Sequence, residues 1–167
     1  MFHIQDVKSF VDILIGKKLQ YICRSCDMID IGFGDLHKKK DNKNKERIVT
    51  AYSLHLFCPF RITDTTGVIL GSQDLFISSE SNESVVDLGV KNSTLFDIKL
   101  EDVKEQLKNE YVKDINVNEY GDISIALFNH TISIFVDGAT DFESWRFLKP
   151  NVNKPHLIKI GNKFEFS

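Results

Sequence analysis

Two cysteines separated by two residues, Cys23-Arg-Ser-Cys26, have the spacing used by zinc knuckles and thiol redox sites. Zinc needs four ligands, and the third cysteine, Cys58, stands alone with only scattered histidines to accompany it. A redox thiol needs a helix amino terminus or nearby cations to lower its pKa. This pair falls instead in a strand-like segment, where residues three apart face opposite sides. The pattern reads as two small side chains of the fold, and neither a metal nor a cofactor is implied.

The run Ser53-Leu-His-Leu-Phe-Cys-Pro-Phe-Arg61 places a histidine, a cysteine and an arginine in otherwise apolar, strand-like surroundings. His55 and Cys58 would make a nucleophilic pair only if the bend at Pro59 turned the thiol back toward the ring. A hydrogen-bonded histidine is the more frequent outcome. Arg61 and Arg146 each follow an aromatic residue, Phe60 and Trp145. Such an arginine either stacks on the ring and pairs with a carboxylate, for which Asp27, Asp74 and Asp137 are candidates, or presents its fork to an anionic ligand. Structural pairing is the favoured reading, and an anion site is the best functional one.

Charge is unevenly spread along the 167 residues. Positions 37–47 hold six Lys/Arg and two acids, net +4, which leaves 15 basic and 22 acidic residues elsewhere, net −7. An acidic body argues against duplex nucleic acid, whose binding needs a continuous cationic surface, and suits a basic protein partner. The lysine-rich segment lacks interleaved aromatics, so it reads as a solvated loop instead of a stacking platform. An odd number of cysteines and the interruption of the amino-terminal apolar residues by Asp6 and Asp12 point to a reducing, cytoplasmic setting without a secretory signal. No apolar run is long enough to span a membrane.

The elements that would position these residues follow from periodicity. Ile4, Val7, Phe10, Val11 and Leu14 predict a helix over 3–15, closed by Gly16, and Leu100, Val103, Leu107 and Tyr111 predict a second, with Glu101 and Asp102 in its first turn. Residues 17–33 read as β structure with a loss of phase near Asp27, 37–47 as a long hairpin loop, and 48–57 as a central strand, apolar on both faces. A strand over 68–77, an exposed loop over 78–84 and a meander over 112–117, 122–128 and 132–136 come next. Thr140-Asp-Phe-Glu143 has capping-box spacing and predicts a short helical turn carrying Trp145 and Arg146, before a last hairpin of 156–160 and 163–166 through Gly161-Asn162. The sum is one α+β domain over 1–167: a twisted, mainly antiparallel sheet packed by two helices.

The segments Ile15–Leu19, Arg24–Met28, Gly32–Gly34, Ser53–Arg61, Gly71–Asp74 and Ser144–Arg146 together resemble a family of small uncharacterised bacterial proteins marked by an LHxxCPxR-type run, here Leu54 to Arg61. That family often has Trp where this chain has Phe60. The resemblance implies a bacterial, cytoplasmic protein with recurrent polar positions and brings no established activity. The reading is therefore a non-catalytic binding protein with a protein partner, in an immunity-like role. The alternative is a small-ligand site or enzyme cleft formed by Arg24, Asp27, His55, Arg61, Asp74 and Arg146, with Trp145 beside them.

Overall fold

The computed structural model describes residues 4–41, 43–80 and 85–167. The first helix, α1 (Ile4–Val11), buries Val7 and Val11, one turn apart. It tightens into a 3-10 turn over Asp12–Leu14 and ends at Gly16, whose φ of +78° is the left-handed conformation expected of a glycine cap.

Two strands, β1 (Leu19–Ser25) and β2 (Met28–Lys40), form a hairpin whose turn, at Cys26 and Asp27, explains the lost phase there. A shift in register between Leu19 and Tyr21 then buries Ile22 while leaving Cys23 exposed. β3 (Glu46–Leu56) is central as expected, lying between β2 and β9 (Glu143–Leu148). The sheet continues through β10 (Leu157–Ile160) to β11 (Lys163–Phe166), giving the antiparallel order β1-β2-β3-β9-β10-β11. The long loop expected over 37–47 is mostly strand. β2 and β3 stay paired through Lys38–Ile48, Lys39–Arg47 and Lys40–Glu46, and the turn is pinned by backbone N–H groups of Lys43 and Lys45 donating to Asp41. A ribbon solvated on both faces needs no buried stripe, so polarity alone did not reveal it.

The chain leaves this sheet at Phe57–Pro59 and builds a second one. Its strands are β4 (Phe60–Thr63), β5 (Val68–Gly71), β6 (Asp114–Val117), β7 (Ile123–Ala126) and β8 (Thr131–Ile134), in the antiparallel order β5-β4-β8-β7-β6. The α+β class holds, with its strands divided between two sheets instead of gathered in one. The strand expected over 68–77 stops at Gly71, where a 3-10 turn, Ser72–Phe76, takes over. Of the loop expected over 78–84, positions 81–84 lie outside the described residues.

The second helix, α2 (Leu95–Leu107), starts earlier than its apolar stripe suggested. Thr94 caps it by accepting from the Asp97 N–H, while the Asp97 side chain reaches back to Thr94, so the first-turn acid is Asp97 and not Glu101 or Asp102. The helical turn expected from Thr140 is instead β9. Trp145 and Phe147 alternate with Ser144 and Arg146, and pairing with both β3 and β10 outweighs a local cap.

One continuous buried cluster draws on both sheets and both helices, including Ile31, Leu54, Trp145 and Phe147 from the first sheet and Ile62, Ile125, Ile132 and Ile134 from the second. α2 adds Phe96, Leu100, Val103 and Leu107 and packs on β5, while α1 packs against β6. Among the described residues no helix is long and apolar enough to cross a membrane.

Candidate functional site

A cleft of about 770 Å³ opens where the chain passes between the sheets. Phe57 follows β3, Phe76 ends the 3-10 turn after β5, and Phe135 follows β8, so three distant segments each deliver a ring. All three rings meet solvent, at 50, 63 and 37% exposure. Pro59 has no N–H to donate but its carbonyl accepts from the Phe135 N–H, 2.8 Å away, which joins two walls of the cleft. Arg61 places its guanidinium carbon 5.1 Å from the centre of the Phe135 ring and makes no ion pair with any described residue. Asp74 is neutralised within the site, accepting from Lys99 Nζ at 2.7 Å and from the Gly71 N–H at 2.9 Å. Asp27 and Asp137 line the cleft without a salt bridge to any described residue. Cys58 also lines it, yet burial and the charge of Asp137 push its thiol pKa up to about 12, so it stays protonated and unreactive at neutral pH.

His55 lies elsewhere. On the face of the first sheet turned from the core, cross-strand register aligns Cys23, Asp30, His55 and Arg146 in one row. Asp30 accepts from the Tyr21 hydroxyl at 3.0 Å and from the Ser53 hydroxyl, and His55 Nε2 sits 3.6 Å from the same carboxylate. Gly32 makes room for this arrangement, because a Cβ there would lie 2.3 Å from the Tyr21 ring. A serine, a histidine and an aspartate thus meet in the wrong order for nucleophilic catalysis, since Ser53 donates to Asp30 and not to a histidine base. Arg146 is held by Glu143 in a two-point fork, Nε to Oε1 at 2.9 Å and Nη2 to Oε2 at 2.7 Å, which raises its pKa further. His156, 3.3 Å from Arg146 Nη1, has its pKa lowered by burial and by the neighbouring Arg146 and His55.

Arg24 is structural. Its guanidinium forks onto Asp97 at 2.7 and 2.6 Å and also donates to the carbonyls of Cys26, Leu88 and Val90. It thereby ties the first hairpin to the loop before α2 and to the start of α2. Asp97 is held below the usual carboxylate range by this arginine, burial opposing. Cys23 and Cys26 line a separate cleft of about 460 Å³ beside that loop, and burial and Asp30 raise the Cys23 pKa, the reverse of what a redox thiol requires. Trp145 is fully buried and donates from its indole N–H to the Gly121 carbonyl at 2.8 Å, so its ring anchors the core and faces no ligand.

The six residues of the anticipated polar cleft therefore separate three ways. Asp27, Arg61 and Asp74 share the aromatic cleft, His55 and Arg146 share the sheet face, and Arg24 clamps a loop. Asp30, Glu110 and the three exposed phenylalanines went unnoticed in the sequence. Glu110, three residues past the end of α2, is 3% exposed and accepts from the N–H groups of Phe128 and Asn129, the Asn129 amide and His130 Nδ1 at 2.7 to 3.1 Å. Comparison of the chain with protein-family models, curated protein sequences and solved structures finds no match.

Proposed function

We propose that this chain is a non-catalytic binding protein whose aromatic cleft receives an apolar segment of a protein partner. The observation that carries the reading is the convergence of Phe57, Phe76 and Phe135, all exposed, on one concavity. Leaving three large rings in water forfeits burial worth about 25 cal/mol per Å² of apolar surface, and surfaces of this kind mark contact sites. Clustered aromatics beside an arginine are also the composition of interface hot spots. Asp27 and Asp137 on the rim, together with the net −7 outside 37–47, favour a partner that brings positive charge next to its apolar anchor. An immunity-like protein, blocking a basic partner by occupying its surface, is the specific form we favour.

The test is capture from a bacterial lysate with the wild-type chain and with a Phe57→Ser, Phe76→Ser variant side by side. Both phenylalanines are at least half exposed, so the variant should fold. A protein retained by the wild type, lost by the variant and released by added salt supports the reading. Equal retention by both refutes it. A second reading rests on Arg61, whose guanidinium lies over Phe135 with no carboxylate partner among the described residues and is suited to a small carboxylate-bearing ligand in the same cleft. Under that reading Arg61→Gln abolishes ligand-dependent thermal stabilisation and leaves protein capture intact.

A further inference from the structure

A smaller pocket, of about 280 Å³, lies on the other side of the first sheet at the base of the β2–β3 ribbon, lined by Lys17, Asp35, His37, Tyr52, Lys149 and Lys154 among others. Its construction begins at Gly34. There β2 carries an extra residue relative to β3, between Phe33 and Leu36, and the backbone takes φ of +81°. A Cβ at Gly34 would crowd Ala51 at 3.2 Å and the Tyr52 ring at 3.3 Å, so glycine is required at this bulge. Bulges bend a strand and re-aim its side chains, and this one brings Asp35 and His37 to the pocket.

The three lysines come from two segments, Lys17 from the link after α1 and Lys149 and Lys154 from the connection between β9 and β10. Lys17, after α1, donates its N–H to the Leu14 carbonyl and accepts from the Val112 N–H. Lys149 directly follows β9 at the head of a turn in which the Val152 N–H donates to its carbonyl, and its ammonium stands 5.6 and 5.5 Å from the centres of the Phe10 and Tyr52 rings. Lys154 follows that turn and is exposed. Five other lysines meet carboxylates, Lys38, Lys99, Lys104, Lys108 and Lys163, whereas these three form no salt bridge with any described residue. Among the described residues Asp35 is the one acid lining the pocket, which sets three ammonium groups against one carboxylate, a formal net +2, on a protein whose body is acidic.

We propose that this pocket binds a phosphate dianion. The net charge is opposite in sign and equal in size to that of a phosphate monoester, three ammonium groups from two segments supply charge-assisted hydrogen bonds, and Asn151 adds a neutral amide donor. The volume is below the range of pockets that enclose drug-sized molecules, so the phosphate itself is the recognised group. It arrives as free phosphate or a small phosphomonoester, or as the headgroup of phosphatidic acid at a lipid surface.

The experiment titrates the full chain with inorganic phosphate and with glycerol 3-phosphate, sodium chloride holding ionic strength constant, and follows backbone amide shifts by NMR. Saturable shifts confined to residues near 17, 37 and 149–154 are expected. The variant Lys17→Gln, Lys154→Gln leaves the ring-packed Lys149 in place, keeps the wild-type melting curve and weakens binding by at least about tenfold, two charge-assisted bonds being lost. Cosedimentation with phosphatidylcholine vesicles, with and without phosphatidic acid, separates the sources. Binding to free phosphate alone assigns a soluble ligand, and binding to phosphatidic acid vesicles alone assigns a headgroup. No saturation by either, shifts reproduced by chloride, or unchanged affinity in the variant would overturn the proposal.

Discussion

Replacing Glu110 by alanine should destabilise the protein by about 3 kcal/mol, because it breaks a buried charged cluster from one side. The carboxylate is the common acceptor for two backbone N–H groups, an amide and a histidine nitrogen, with 4% of the Glu110 side chain and 7% of the His130 side chain exposed. Removing it leaves donors buried without partners, and each such donor costs about 1 to 3 kcal/mol where water cannot enter. Partial hydration from the neighbouring surface cleft beside Asn109 and Phe128 moves the total toward the lower end of the sum. For a domain of this size the change corresponds to a fall in melting temperature of roughly 6 to 12 °C. Urea unfolding followed by circular dichroism measures it directly. The pH dependence gives a second check. Burial pushes the Glu110 pKa up, but the hydrogen bonds from His130, Phe128 and Asn129 outweigh it and hold the group below its ordinary 4.5. Its contribution is then fully present above pH 4.5 and disappears as pH falls through the lower folded value, so the gap between wild type and variant must narrow in acid. A gap under about 0.5 kcal/mol at pH 7, or one that widens in acid, would refute this account of the α2 terminus.

Other parts of the fold carry consequences of the same kind. Arg24→Lys keeps the charge but cannot reproduce the fork on Asp97 together with three carbonyl contacts, so stability should drop by about 2 kcal/mol and hydrogen exchange in 87–93 should accelerate; an unchanged exchange pattern would show that the loop does not depend on the clamp. At pH 8 the exposed Cys26 should be alkylated by iodoacetamide well before Cys58, whose thiol pKa stands at about 12; peptide mass spectrometry reads the order, and early labelling of Cys58 would contradict its burial. Lys159 is 2% exposed, its pKa lowered by burial against the opposing pull of Asp122, with its ammonium 4.8 Å from the Phe164 ring centre. Lys159→Met keeps the stem and removes the desolvated charge, so it should raise stability by about 1 kcal/mol, and a loss of that size would show the cation–ring contact to be the larger effect.

Periodicity made much of this fold legible. The apolar alternation of 48–57 located the central strand, the β6–β8 meander was readable from its isoleucines and turns, and Gly16 and Gly161-Asn162 marked a helix end and a hairpin. The failures came where a local signal met a tertiary one. Thr140–Glu143 carried a helix-start pattern, but Trp145 and Phe147 gain more by alternating into the core between β3 and β10. The site was less legible, because register is not written in single residues. Nothing in the sequence places Asp30 opposite His55, or brings Phe57, Phe76 and Phe135 to one opening. Arg61, Asp27 and Asp74 were singled out by residue type and do meet there, whereas Trp145 was singled out for its ring and is core.

The aromatic cleft is the centre of the proposed function, and a hydrogen-exchange footprint of the wild-type chain with a protein that it captures tests the proposal most directly. The account predicts new protection concentrated in 57–61, 72–76 and 135–137, with the row of Asp30, His55 and Arg146 unaffected. Protection confined to that sheet face, or to the loop held by Arg24, with the cleft exchanging as in the free protein, would contradict it.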